Sequence, residues 1–217
     1  MNDALPFIAD VDTACAERAS RHLDTLTKPP GSLGRLEALA VSLAGITGEA
    51  FPRVSPPAVV VFAADHGVAA EGVSAFPQAV TAQMVANFVT GGAAINVFAR
   101  RIGAHLEVVD VGVANALPAE GVVHDRVRPG AANLAREAAM QRDEALAAIA
   151  AGRRAAERAA VAGCRCLIVG EMGIANTTAS SAMLAVLTGA PVAGLVGPGT
   201  GVAGAALARK QAIIESA

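Results

Sequence analysis

The segment Ala58 to Ala64 reads AVVVFAA, an unbroken apolar run that closes on Asp65-His66-Gly67. A strand with one wet face alternates apolar and polar side chains. An unbroken run of β-branched residues instead marks a strand buried on both faces, the habit of parallel sheets. Parallel neighbours need a crossover long enough to hold a helix. The sequence repeats that pattern. LEVVDVGV (Leu106 to Val113) and CRCLIVG (Cys164 to Gly170) are two more runs read as buried strands, and VAGLVG (192–197) is a shorter fourth. Helical segments lie between and after them: 77–101, interrupted at Thr90-Gly91-Gly92; the alanine-rich 134–162, a helix or helix pair; 177–188; and 204–216. The alternation predicts an α/β fold with a doubly wound, mostly parallel sheet and flanking helices. Ahead of it, 9–26 and 32–46 read as helices. Pro29-Pro30-Gly31 must separate them, and Ser32 can cap the second. We expect an N-terminal helical segment over residues 1–50 and a parallel α/β domain over 51–217.

Composition removes several classes. The net charge of −2 gives no electrostatic case for nucleic acid. Although 53% of residues are apolar, we find no run of about 18 apolar residues free of charges and turn signals. The start, MNDALPFIADVDTACAERAS, is acidic where a leader peptide needs basic residues, so a cytoplasmic protein without a membrane partner is expected. Cys15, Cys164 and Cys166 are an odd number, against a disulfide framework. Cys164 and Cys166 read as small apolar residues opening a buried strand. The four histidines are scattered and no metal site is visible.

In doubly wound sheets ligands bind beyond the carboxyl ends of the strands. Asp65-His66-Gly67, Asp110-Val111-Gly112, Gly170-Glu171 and Gly197-Pro198-Gly199 all fall there. The loop VGEMGIANTTASSAML (169–184) lacks the lysine of a P-loop. It reads either as a simpler phosphate cradle, with Gly173, Ile174, Ala175, Asn176, Thr177 and Thr178 leading into a helix N-terminus, or as an ordinary strand-to-helix turn. GTGVAG (199–204) matches a dinucleotide fingerprint, but fits better as a second glycine loop around the same phosphate, within reach of Lys210. Asp65-His66 is a candidate acid–base pair or a capped turn. Lys28-Pro29-Pro30-Gly31-Ser32-Leu33-Gly34-Arg35 is elaborate enough to brace a site or a subunit interface.

Taken together, TLTKPPGSLGRLEALA, FAADHGVAAEGVSAFPQAVTAQMV, VVDVGV and GEMGIANTTASSAML resemble nicotinate-nucleotide:dimethylbenzimidazole phosphoribosyltransferases from about Thr25 onward. The resemblance implies a homodimeric enzyme without cofactor or metal. It would move the phosphoribosyl group of nicotinate mononucleotide to 5,6-dimethylbenzimidazole in cobalamin synthesis. It also implies that residues 173–178 and Lys210 hold the 5′-phosphate, that Phe76, Gln83, Met84 and Met172 line the base pocket, and that Glu171 supports the positive charge of the departing ribosyl group. Members of that family are longer and carry a Gly-Glu-Gly-Thr-Gly motif whose glutamate serves as the base. Here Gly197-Pro198-Gly199-Thr200-Gly201 has Pro in place of the glutamate, so the chain reads as a form lacking the last strands and that base. The competing expectations are a non-catalytic module for the nucleotide or the benzimidazole, and a dinucleotide-binding oxidoreductase domain.

Overall fold

The computed structural model describes residues 8–115, 117 and 120–217. Residues 1–7, the first part of the acidic start, lie outside the described residues. The chain divides into two units, up to Val54 and from Ser55 to Ala217.

The first unit is a helical pair, α1 (Thr13–Thr25) and α2 (Arg35–Thr47). Asp12 caps α1 by accepting the Cys15 N–H at 2.9 Å. Ser32 does not cap α2: the helix starts three residues later, behind Gly34. The Glu37 carboxylate explains the shift. It takes the Leu33 N–H at 3.0 Å and the Lys28 ammonium at 2.8 Å, closing the Pro-Pro-Gly turn from inside the helix. The Lys28 hydrogen bond first, and the Leu33 N–H second, hold the Glu37 carboxyl below its ordinary range. Leu33, Leu36, Leu39 and Ile46 of this unit are exposed.

In the second unit β1 (Pro57–Ala64), β2 (His105–Gly112), β3 (Val123–His124) and β4 (Cys166–Met172) form one parallel sheet in the order β3-β2-β1-β4. Alternation along β1 sorts the core. Val59, Val61 and Ala63 pack with Val85 and Phe88 of α3 (Val80–Thr90) and Ala99 of α4 (Ala94–Arg101). Val60 and Phe62 pack on the other face with Val109, Val111 and Ala155 of α5 (Arg142–Val161). Each fully buried valine is worth about 1.5–3 kcal/mol. Helices on both faces make the sheet doubly wound, as the sequence predicts. Val80–Arg101 is the one stretch among the described residues long and apolar enough to cross a bilayer. It is nevertheless two helices, broken at Gly91 (φ 83°), and its Val85, Phe88, Ala93 and Ala99 are part of this core. A third cluster joins Val68 and Val73 to Ala175 and to Ile213 of α7 (Ala205–Ser216).

Three expectations are corrected. Residues 134–141 are not helical: the Asn133 side-chain oxygen Oδ1 takes the Ala135 N–H, Ala132 N–H reaches Ala139, and α5 starts at Arg142 behind the Gln141–Glu144 capping box. Residues 192–197 are not a strand. Val192–Gly194 is a 3₁₀ turn closed by Gly194 N–H to Pro191 and Leu195 N–H to Val192. A six-residue apolar run holding two glycines does not distinguish strand from turn until something pairs with it. Finally, β4 is not buried on both faces. It pairs with β1 alone, and Leu167, Ile168 and Val169 are exposed, with Cys164 and Cys166 half-buried and free. It is the sheet's edge among the described residues.

Candidate functional site

The strand order reverses between β1 and β4. The chain moves from β1 to β2 and β3 on one side, then crosses by α5 to β4 on the other. A crevice is expected at the carboxyl ends of the two strands flanking that switch point. The residues there are Asp65-His66 after β1, and Glu171-Met172-Gly173 closing and following β4. The two ends touch closely. A Cβ on Gly173 would lie 2.3 Å from the Ala64 carbonyl oxygen and 2.9 Å from His66 Nε2, so only glycine fits. His66 is largely buried, and burial pushes its pKa below the ordinary histidine value; the Asp65 charge opposes this more weakly. The imidazole is therefore held neutral near pH 7.

The loop 173–175 turns the chain into α6 (Asn176–Thr188). Ala175 sits in the left-handed region at φ 72° and no side chain caps the helix, while the Asn176 and Thr178 N–H groups turn back to the Gly173 and Ala175 carbonyls at 3.0 Å. Thr178 is fully buried, and its hydroxyl has no partner among the described residues. Lys210, also fully buried, donates from Nζ to Thr177 Oγ1 at 2.7 Å and to the Gly197 carbonyl at 3.0 Å. Burial lowers its pKa. Gly199 (φ 54°) lies over that pair: a Cβ there would be 2.6 Å from Thr177 Oγ1 and 3.0 Å from Lys210 Nζ. The two glycine loops of the sequence thus converge on one lysine. The fingerprint reading of GTGVAG loses its support, since a 3₁₀ turn and not a strand precedes it.

The remaining predicted residues divide. Met84 and Met172 pack against the same core cluster on the α3 face of the sheet. Gln83 is exposed on α3, and Phe76 is exposed in the preceding loop. That loop reaches the second glycine loop, with Thr200 Oγ1 accepting the Ala75 N–H at 2.9 Å and meeting Ser74 Oγ at 3.0 Å. Glu171 is exposed and registers with Phe62, so alternation sends it to the face opposite Met172. The structure does not bring Glu171 onto the methionine side.

One feature escaped the sequence. Thr81, in the first turn of α3, is fully buried and accepts the Ile174 N–H at 3.1 Å. A threonine in a helix that also carries Gln83, Asn87 and Thr90 gives no signal for such a contact. Asp65 and Asp110 are fully buried buttresses. Asp110 accepts from Gly112 N–H, Val113 N–H and both Arg126 Nε and Nη2, while Asp65 Oδ2 takes the Ala114 N–H. On the α5 side, a cleft of about 810 Å³ runs from His66 and Asn176 between Ala148 of α5 and Met183 and Leu187 of α6. It does not include Phe76, Gln83, Met84, Met172, Glu171 or Lys210, so it is separate from the expected base pocket. No group of metal-ligating side chains occurs among the described residues.

A family profile described as "Phosphoribosyltransferase" matches residues 8–217. The chain is 53% identical to the nicotinate-nucleotide–dimethylbenzimidazole phosphoribosyltransferase of Chloroflexus aggregans, over 100% of this chain and 62% of that protein. It is 54% identical to the protein of the same name from Chromobacterium violaceum, over 100% of this chain and 62% of the other. A crystal structure of the enzyme of that name from Thermus thermophilus superposes with a TM-score of 0.87 at 48% identity, covering 94% of this chain and 61% of that one. A second structure from Thermus thermophilus, of CobT, gives a TM-score of 0.90 at 50% identity over 94% and 61%. The chain therefore spans about three fifths of the length of the relatives it matches.

Proposed function

Since the chain belongs to the nicotinate-nucleotide–dimethylbenzimidazole phosphoribosyltransferase family, we propose that it binds nicotinate mononucleotide at the β1–β4 switch point and forms the phosphoribosyl-holding part of such an enzyme. The observation that carries the reading is the convergence of Thr177, the uncapped start of α6 and both glycine loops on the buried Lys210. A buried ammonium with a hydroxyl and a carbonyl for partners lacks a counter-anion, and a phosphate monoester supplies one. Admitting it requires the Gly197–Gly201 segment to lift from Lys210.

In the transfer, the C1′–N bond to the nicotinate ring breaks with its electron pair leaving on the ring nitrogen. A benzimidazole nitrogen forms the new bond at C1′, and its other nitrogen gives up a proton. Glu171, exposed at the end of β4, is assigned to support the positive charge that builds on the ribose. Phe76, Gln83, Met84 and Met172 are assigned to the base pocket. These 217 residues hold no counterpart of the family's Gly-Glu-Gly-Thr-Gly motif. His66, whose Nε2 lies beside Gly173 at the switch point, is assigned as the proton acceptor among these residues. Loss of a positioned base typically costs about 10²- to 10⁴-fold, so these residues alone should bind the mononucleotide yet turn it over very slowly.

A homodimer fits the same reading, because α2 presents Leu36 and Leu39 and β4 has an open edge. Light scattering at micromolar concentration reads it directly, and a monomer would remove it. A helical segment over 1–50, an α/β domain over 51–217 and a cytoplasmic location belong to the proposal as well. Its test is calorimetric titration with nicotinate mononucleotide and, separately, with free nicotinate. One mononucleotide site per chain and much weaker nicotinate binding are expected. Equal affinity for the two would show that the phosphate is not held.

A further inference from the structure

Between Met172, the last residue of β4, and Asn176, the first of α6, the backbone belongs to neither a sheet ladder nor a helix. Its N–H groups must find partners elsewhere, and a buried amide left without one is costly. Ile174 is 3% exposed. Its N–H is satisfied by a side chain 93 residues away, Thr81 Oγ1 on α3. Thr81 is itself fully buried, so water does not substitute readily.

The location gives the contact its meaning. Thr81 lies two and three residues before Gln83 and Met84, on the helix assigned to the base pocket. Ile174 lies inside the loop assigned to the phosphate, immediately before the left-handed Ala175 that precedes α6. Resting on the function proposed above, we infer that Thr81 is a positioning residue: acting through the Ile174 amide, it fixes the phosphate cradle against the helix that carries the base pocket. It touches neither substrate. It sets the distance between the two places where the substrates are held, and small errors in that distance are expensive in a two-substrate displacement.

Thr81→Val keeps the shape and removes the acceptor; Thr81→Ser keeps the acceptor. In the full chain, hydrogen exchange should become faster at the Ile174 amide in the valine variant, with the amides of β4 unchanged, and stay near wild type in the serine variant. Calorimetry with inorganic phosphate and with nicotinate mononucleotide should show affinity falling about tenfold in the valine variant and restored in the serine variant. Faster exchange at Ile174 with unchanged affinity for both ligands would overturn the positioning role and leave the functional reading standing. A serine variant as weak as the valine one would overturn it too. If the valine variant does not fold, Thr81→Ala, which opens a small gap without overpacking, takes its place in the same comparison. A wild-type chain that binds phosphate but not the mononucleotide sinks the substrate reading, and Thr81 is then judged on phosphate alone. One that binds neither overturns both.

Discussion

The Lys210 ammonium donates to Thr177 Oγ1 at 2.7 Å across 33 residues of chain, tying α7 to the first turn of α6. The bond places a positive charge at the positive end of a helix, an arrangement that burial penalises and an anion relieves.

Gly199 is the residue that leaves room for that pair. Gly199→Ala would put a methyl 2.6 Å from Thr177 Oγ1 and 3.0 Å from Lys210 Nζ, at a φ of 54° that L side chains rarely adopt. Either the loop or the lysine must shift. We expect destabilisation of about 1–3 kcal/mol in urea unfolding. A variant with unchanged unfolding would mean that the second glycine loop does not close over Lys210.

Ala175 is the one non-glycine residue with positive φ among the described residues. The left-handed region costs an L-residue roughly 1–2 kcal/mol. Removing the methyl relieves that strain but also deletes a buried contact with Val68 and Ile213. Ala175→Gly should therefore stay within about 1 kcal/mol of wild type. Ala175→Val, β-branched in the same conformation and overpacked, should lose about 2 kcal/mol or more. Denaturant midpoints separate the two. Equal loss in both would place the residue elsewhere in backbone space.

His66 makes stability depend on pH in a particular direction. Burial lowers its pKa in the folded protein, so below the ordinary value of about 6.5 the unfolded chain binds the proton first and stability falls as pH falls. The slope from this one group is at most about 1.4 kcal/mol per pH unit. Thermal melts between pH 7.5 and 5 should show a loss that His66→Asn flattens. The depressed carboxylates Asp12, Glu37, Glu71 and Asp125 act only at lower pH, below their ordinary range near 4. An unchanged profile in the variant would mean that His66 is solvated.

How much of this was legible from sequence follows from what each residue reports. The run Ala58 to Ala64 announced a strand covered on both faces because its valines meet α3 and α5, each within reach along the chain. The run at 164–170 gave the same signal, yet β4 is exposed. An apolar run does not say what packs on it, and among the described residues β4 pairs with β1 alone. Residues 192–197 misled for a related reason: without a pairing partner, Pro191 and Gly194 settle into a turn. At the site, the glycines of both loops were readable, since close approach leaves few alternatives. Thr81 was not, because its role depends entirely on an amide 93 residues distant.

The central claim is that the loop 173–178 and Lys210 hold the phosphate of a mononucleotide. Its most direct test is the affinity of Lys210→Ala for nicotinate mononucleotide, set beside wild type and measured by calorimetry at pH 7. Loss of a charge-assisted contact of about 1.5–3 kcal/mol corresponds to weakening by roughly 10- to 150-fold. Binding of free nicotinate, which has no phosphate, should stay as it is. Equal mononucleotide affinity in the two proteins, both shown to be folded, would contradict the account and leave Lys210 as a structural tie between α6 and α7.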